Sequence, residues 1–150
     1  MPHSAQMIRT AYKEYDYALY MRNRRRKEYE QVLAEQEELF QMTQPKGFDL
    51  TKDKVSGGDT SDTFNSYLMA KEKNHIDERR EEAYHLLEIR ERELEKREKE
   101  LRASKDLKDI IYVLWFLEKK KVWQIARIIH YSKQHTYRIL EDIRITLRVR

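Results

Sequence analysis

The chain contains no cysteine. A disulfide framework and a thiolate-bound metal are therefore excluded. Proline occurs only at Pro2 and Pro45, and glycine only at Gly47, Gly57 and Gly58, so residues 59–150 hold neither helix breaker. No apolar run approaches the ~20 residues of a membrane span. The opening Met-Pro-His-Ser-Ala-Gln has no hydrophobic signal region. The expectation is a soluble, cytoplasmic chain with no membrane partner. No glycine-rich phosphate loop is present, and the serines and histidines form no nucleophile–base pattern. His75 with Asp77, and Glu82 with His85, imitate metal spacing on a helix, but such pairs arise by chance in a chain this acidic. No catalysis, metal or cofactor is expected.

What the chain has in abundance is charge. Charged residues make up 39% and hydrophobic ones 39%, a balance that suits long exposed helices better than a thick core. The net charge of +4 is unevenly placed. From Lys119 to Arg150 nine Lys/Arg face two acids, Glu141 and Asp142, so this tail carries +7 and the preceding residues −3. A concentrated basic footprint is what a phosphate backbone attracts.

The same tail carries a motif. Residues 122–140 read as a helix, a sharp turn and a second helix. Ile125, Ile128 and Ile129 fall on one face of the first helix, and small Ala126 permits a close crossing. His130 and Tyr131 fill the turn, where a positive φ is needed and His is more tolerant than most residues. Ser132 can cap the second helix. Thr136, Ile139, Leu140 and Ile143 point inward, whereas Lys133, Gln134, Tyr137 and Arg138 point outward. A buried seam with a basic outer face matches the helix-turn-helix, whose second helix enters the DNA major groove. The base-contact candidates are Lys133, Gln134, Tyr137 and Arg138. Lys119, Lys120, Lys121, Arg127, Ser132 and Arg144 are the phosphate candidates. His135 is either a rim contact or a solvated side chain.

Ahead of the motif, Ser104 is a candidate N-cap. Leu107, Ile110, Ile111, Leu114 and Leu117 then give a broad apolar face, widened by Val113, Trp115 and Phe116. This helix should pack on the other two as a three-helix unit, with Trp115 and Trp123 in its core. The resulting expectation is all-α: long N-terminal helices, with coiled-coil pairing as one arrangement, followed by a C-terminal three-helix helix-turn-helix domain. Residues 1–44 form a long helix striped by Ile8, Tyr12, Tyr15, Leu19, Tyr29, Leu33 and Phe40. Residues 45–60 form a linker, 61–103 a charged helix and 104–150 the DNA-binding domain. Leu87, Leu94 and Leu101 recur every seven residues, with Ile76, Ala83, Arg90 and Arg97 at the complementary positions. One recognition helix reads few base pairs, so a homodimer is expected, through either the N-terminal stripe or this heptad. The run Arg22, Arg24, Arg25, Arg26, Lys27 reads as a solvated face in preference to a second phosphate contact.

The stretch Ile110–Leu147 resembles region 4 of bacterial sigma factors, and especially phage transcriptional regulators of the ArpU and RinA type. The resemblance rests on the Leu/Ile-rich helix at 107–117, the Lys119–Lys121 linker, Val-Trp-Gln-Ile-Ala at 122–126 and Tyr-Ser-x-x-x-Thr-Tyr-Arg-Ile at 131–139. The charged helix upstream and Gly-Gly-Asp-Thr-Ser-Asp at 57–62 are similar in composition. The resemblance implies an activator of late phage or prophage genes in a bacterial host, with double-stranded DNA and RNA polymerase as partners. It places Lys133, Gln134 and Arg138 where sigma-like recognition helices touch bases. Two alternatives stay open. One is the small terminase subunit that recognises viral DNA for packaging. The other is a helical adaptor between proteins.

Overall fold

A computed structural model of the protein describes residues 10–43 and 59–148, and the side chains of all of these except 59–63. The described residues are all-helical: α1 (Ala11–Met42), α2 (Asp59–Lys73), α3 (Ile76–Ala103), α4 (Leu107–Tyr112), α5 (Val122–Ile129) and α6 (Lys133–Arg148). A π-helical turn, Val113–Leu117, continues α4. No helix among them is long and apolar enough to cross a membrane. Ile8 and linker residues 45–58 lie outside the described residues. The last two linker positions already belong to α2.

The chain divides into two compact units. The first comprises residues 1–22 and 90–150, and so holds the start of α1, the end of α3 and all of α4–α6. Its core joins Tyr12, Tyr15, Leu101, Ile111 and Tyr112 to Ile125, Ile139, Leu140 and Ile143. Tyr112 is fully buried. Its ring lies 5.7 Å from Tyr12, 6.0 Å from Tyr15 and 5.2 Å from Phe116. Burial pushes the Tyr112 phenol far above its ordinary pKa, with Tyr15 adding to the rise. Tyr15 is raised as well, first by burial and then by the Glu98 carboxylate. The π-helical turn places Trp115 and Phe116 against Tyr112, at 6.4 and 5.2 Å between ring centroids.

A buried carboxylate fastens α1 to this core. The first N–H groups of a helix have no partner within it. Asp109 of α4 supplies one from 97 residues away, its Oδ1 accepting from the Tyr12 N–H at 2.9 Å. Its Oδ2 accepts from the Ser104 hydroxyl at 2.5 Å. Ser104 therefore does not cap α4 as expected. Asp106 does, accepting from the Lys108 N–H at 2.9 Å, and the Ser104 Oγ accepts from the Asp106 N–H. The leucine heptad is also used within the chain, since Leu101 belongs to the core and Leu94 packs against it. Arg97, which left the heptad seam half apolar, bonds Glu14 at 2.9 Å, Glu93 at 2.9 Å and Glu100 at 3.0 Å.

The second unit comprises residues 23–89. Its described buried apolar side chains are Val32, Ile76 and Leu87. Ring pairs Tyr29–Tyr84 (5.7 Å) and Phe40–Tyr67 (5.1 Å) join its helices. The Gln36 amide donates to the Tyr67 oxygen (3.3 Å) and accepts from Arg80 (3.1 Å). Arg79 pairs with Glu35 at 2.8 Å and Lys71 with Asp77 at 2.9 Å. The expected single helix over 61–103 is broken at Asn74 and His75. The Asn74 amide donates to the Ala70 carbonyl at 2.8 Å, and His75 adopts φ 52°. Together they terminate α2 as a left-handed cap does, without glycine. In α1, Val32 is buried, whereas Leu33 of the expected stripe is exposed. Arg24 and Arg25 of the basic run both pair with Glu28.

Candidate nucleic-acid interface

α5 begins where Lys121 leaves an extended conformation. Its N–H donates to the side-chain oxygen of Gln124, three residues on, at 3.0 Å. Val122, Ile125, Ala126 and Ile129 span an arc of about 100° at 3.6 residues per turn. Ile125 and Ala126 are buried, and Val122 and Ile129 pack against the core. Ile128 and Trp123 each fall roughly 110° from the centre of that arc. Both are exposed, Trp123 by 50%. Their expected places on the buried face and in the core are therefore corrected. Trp115 is half-buried against the core, as expected.

The turn has the predicted chemistry. His130 takes φ 61° and ψ 36°, and its N–H donates to the Ala126 carbonyl. That carbonyl also accepts from the Tyr131 N–H at 3.1 Å. A β-branched residue at His130 would strain the left-handed backbone. Ser132 Oγ then accepts from the His135 N–H at 3.1 Å and so caps α6. The Thr136 hydroxyl is fully buried and donates to the Ser132 carbonyl at 2.9 Å, which leaves no orphan polar group in the seam. Ile139, Leu140 and Ile143 complete the inner face.

All four base-contact candidates are exposed, namely Lys133, Gln134, Tyr137 and Arg138. They lie on the first turns of α6. Lys119, Lys121 and Arg127 are also exposed, and Lys120 is partly so. Among the described residues, none of Lys119, Lys120, Lys121, Arg127, Lys133 and Arg138 has a carboxylate within 4.0 Å. Unpaired cations of this kind keep their full field for an incoming anion. Lys119 turns the backbone with φ 54°, and the Lys120 N–H is held by the Leu114 carbonyl at 2.9 Å. The Ser132 oxygen is committed to the cap as an acceptor, but its proton is free to bond a phosphate oxygen.

Arg144 is set differently from the other phosphate candidates. Its guanidinium lies 5.2 Å from the centre of the Trp115 ring and 3.9 Å from Glu141. Cation–π stacking of this kind is worth ~0.5–1 kcal/mol near a surface, so Arg144 already has an internal role. Two features escaped the sequence. Trp123 is open on the outer side of α5, and the Tyr131 and His135 rings meet at 5.0 Å beside the α6 cap. The four-residue spacing of the latter pair was a usable signal.

Among the described residues no group of three or more His, Asp or Glu side chains is placed to hold a metal. No protein-family model, curated protein or solved structure matches this chain.

Proposed function

We propose that this chain binds duplex DNA through α5 and α6 and regulates transcription. The observation that carries the reading is the outer face of α6. Lys133, Gln134, Tyr137 and Arg138 stand exposed and without acidic partners, on a helix whose other face is buried and whose start is capped. In this arrangement α6 lies in the major groove. Arg138 addresses guanine and Gln134 adenine through paired hydrogen bonds, and Tyr137 meets a phosphate or a thymine methyl. Lys119, Lys120, Lys121 and Arg127 neutralise phosphates and fix the register. The resemblance of Ile110–Leu147 to sigma region 4 and to ArpU- and RinA-type regulators supports the finer reading. In that reading the chain activates late phage or prophage genes in the bacterial cytoplasm and meets RNA polymerase there.

A mobility-shift titration against random duplex tests the DNA reading. Binding is expected, with log affinity falling linearly as log salt rises. Absence of binding at low salt removes the reading and leaves the adaptor. Selection of bound sequences then separates transcription from packaging. Sites upstream of late genes support regulation, and sites confined to a packaging region support a terminase role.

A further inference from the structure

α6 carries a carboxylate on the face proposed to meet DNA. From Lys119 to Arg150 the only acids are Glu141 and Asp142. At 3.6 residues per turn the inward set Thr136, Ile139, Leu140 and Ile143 spans an arc of about 100°, and Gln134, Arg138 and Glu141 all fall within roughly 30° of the direction opposite its centre. Glu141 therefore shares the outermost line of the helix with two of the base-contact candidates. Its side chain is 56% exposed. Asp142 is turned about 70° off that line. The Arg144 guanidinium lies 3.9 Å from the Glu141 Oε2 and is itself stacked over the Trp115 ring. A pair this long and exposed contributes little to stability, so the fold does not account for an acid at this place. The carboxylate keeps its charge and its capacity to accept hydrogen bonds.

We propose that Glu141 is a specificity-determining residue of α6, whose carboxylate accepts a hydrogen bond from the N4 amino group of one cytosine in the major groove. The inference rests on the DNA-binding reading and deepens it. Facing phosphates, a carboxylate only repels. Facing base edges it needs a donor, and the major groove offers two, the amino groups of cytosine and adenine. Adenine sets its N7 acceptor beside that donor, guanine presents the N7 and O6 acceptors, and thymine presents the O4 acceptor and a methyl group. Cytosine alone presents a donor without an adjoining acceptor. The charge acts by refusal as well as by attraction. Any other base at this position leaves a desolvated carboxylate without a partner, which costs more than the bond itself contributes. Arg138, three residues earlier on the same line, addresses guanine, so the two side chains suit a guanine and a cytosine close together in the site.

Selection of bound duplexes by the full chain, followed by titration of the selected site and its single-base variants, tests the assignment. The wild type is expected to fix a cytosine at one position, preferred about 10–100-fold over the other bases there. Glu141→Ala should erase that preference, leave those at the other positions in place and strengthen binding to random duplex several-fold. Glu141→Gln should move the preference toward adenine, which pairs with a carboxamide. Asp142→Ala is the control, because it removes the same charge from an exposed neighbour off the line. It should strengthen binding to every duplex by a similar factor and alter no preference. Helical circular dichroism should be unchanged in all three variants, since both side chains are exposed. A Glu141→Ala chain that retains every base preference of the wild type, and so behaves as Asp142→Ala does, overturns this assignment alone. A wild-type chain that binds no duplex overturns the DNA reading and the assignment with it.

Discussion

The two units reach helical structure by different physical routes. In the first, four aromatic side chains surround Tyr112, and a buried carboxylate caps α1 from the far end of the sequence. In the second, the described buried apolar side chains are three, and much of the bonding runs through Gln36, Arg79, Arg80 and Lys71 at partly exposed positions. Apolar burial contributes ~25 cal/mol per Å², whereas exposed ion pairs give ~0–1 kcal/mol each. The contrast shows where rigidity is concentrated. The unit that contains α6 is the one with the continuous core.

The comparison can be broken at several points. Tyr112→Ala should have the largest effect, a loss of about 3–5 kcal/mol as for other buried aromatics, read by urea denaturation. A loss below ~1 kcal/mol would mean the aromatic cluster is not the centre of the first unit. Asp109→Ala should cost roughly 1–3 kcal/mol, because the Tyr12 N–H and the Ser104 hydroxyl lose their acceptor. Asn at this position should recover part of that loss, since its side-chain oxygen can still accept.

Arg138→Ala should leave stability unchanged and weaken specific DNA binding by roughly 1–3 kcal/mol. Equal weakening on random duplex would contradict base reading at this position. Alkali probes the first unit more gently. The folded-state pKa of Tyr112 is raised above the unfolded value of ~10, and Tyr15 is raised in the same direction. The folded chain keeps those protons where the unfolded chain has lost them. Stability is therefore full below pH ~10 and declines above it, by up to about 1.4 kcal/mol per pH unit for each phenol. Tyr112→Phe should reduce that slope. It should be near neutral at pH 7, because the Tyr112 hydroxyl has no hydrogen-bond partner. Arg79→Ala in the second unit should cost less than ~1 kcal/mol, since the pair with Glu35 is solvent-exposed.

Much of the α5–α6 region was legible because its signals are local. The boundaries of α5 and α6, the left-handed His130, the Ser132 cap and the inward Thr136, Ile139, Leu140 and Ile143 all depend on residues within one or two turns of each other. Trp123 misled because hydrophobicity argued for burial, while the helical angle set by Ile125 and Ala126 turned it outward. The break at Asn74 and His75 was missed because neither residue is a strong breaker. It takes the Asn74 bond to the Ala70 carbonyl and the left-handed His75 together to end α2. The heptad leucines were seen correctly as an apolar row, but periodicity does not name the partner they face.

From the residues alone came the all-helical class, the placement of the basic tail on a helix-turn-helix and the outward set Lys133, Gln134, Tyr137 and Arg138. These follow from spacing of three and four residues and from the absence of proline and glycine after Gly58. Only the tertiary structure decided that Asp109 caps α1, that Leu94 and Leu101 are used within the chain, and that Arg144 rests on Trp115. Each of these joins groups distant in sequence, and a one-dimensional pattern records which side chains seek burial or a charge partner without recording which neighbour supplies it.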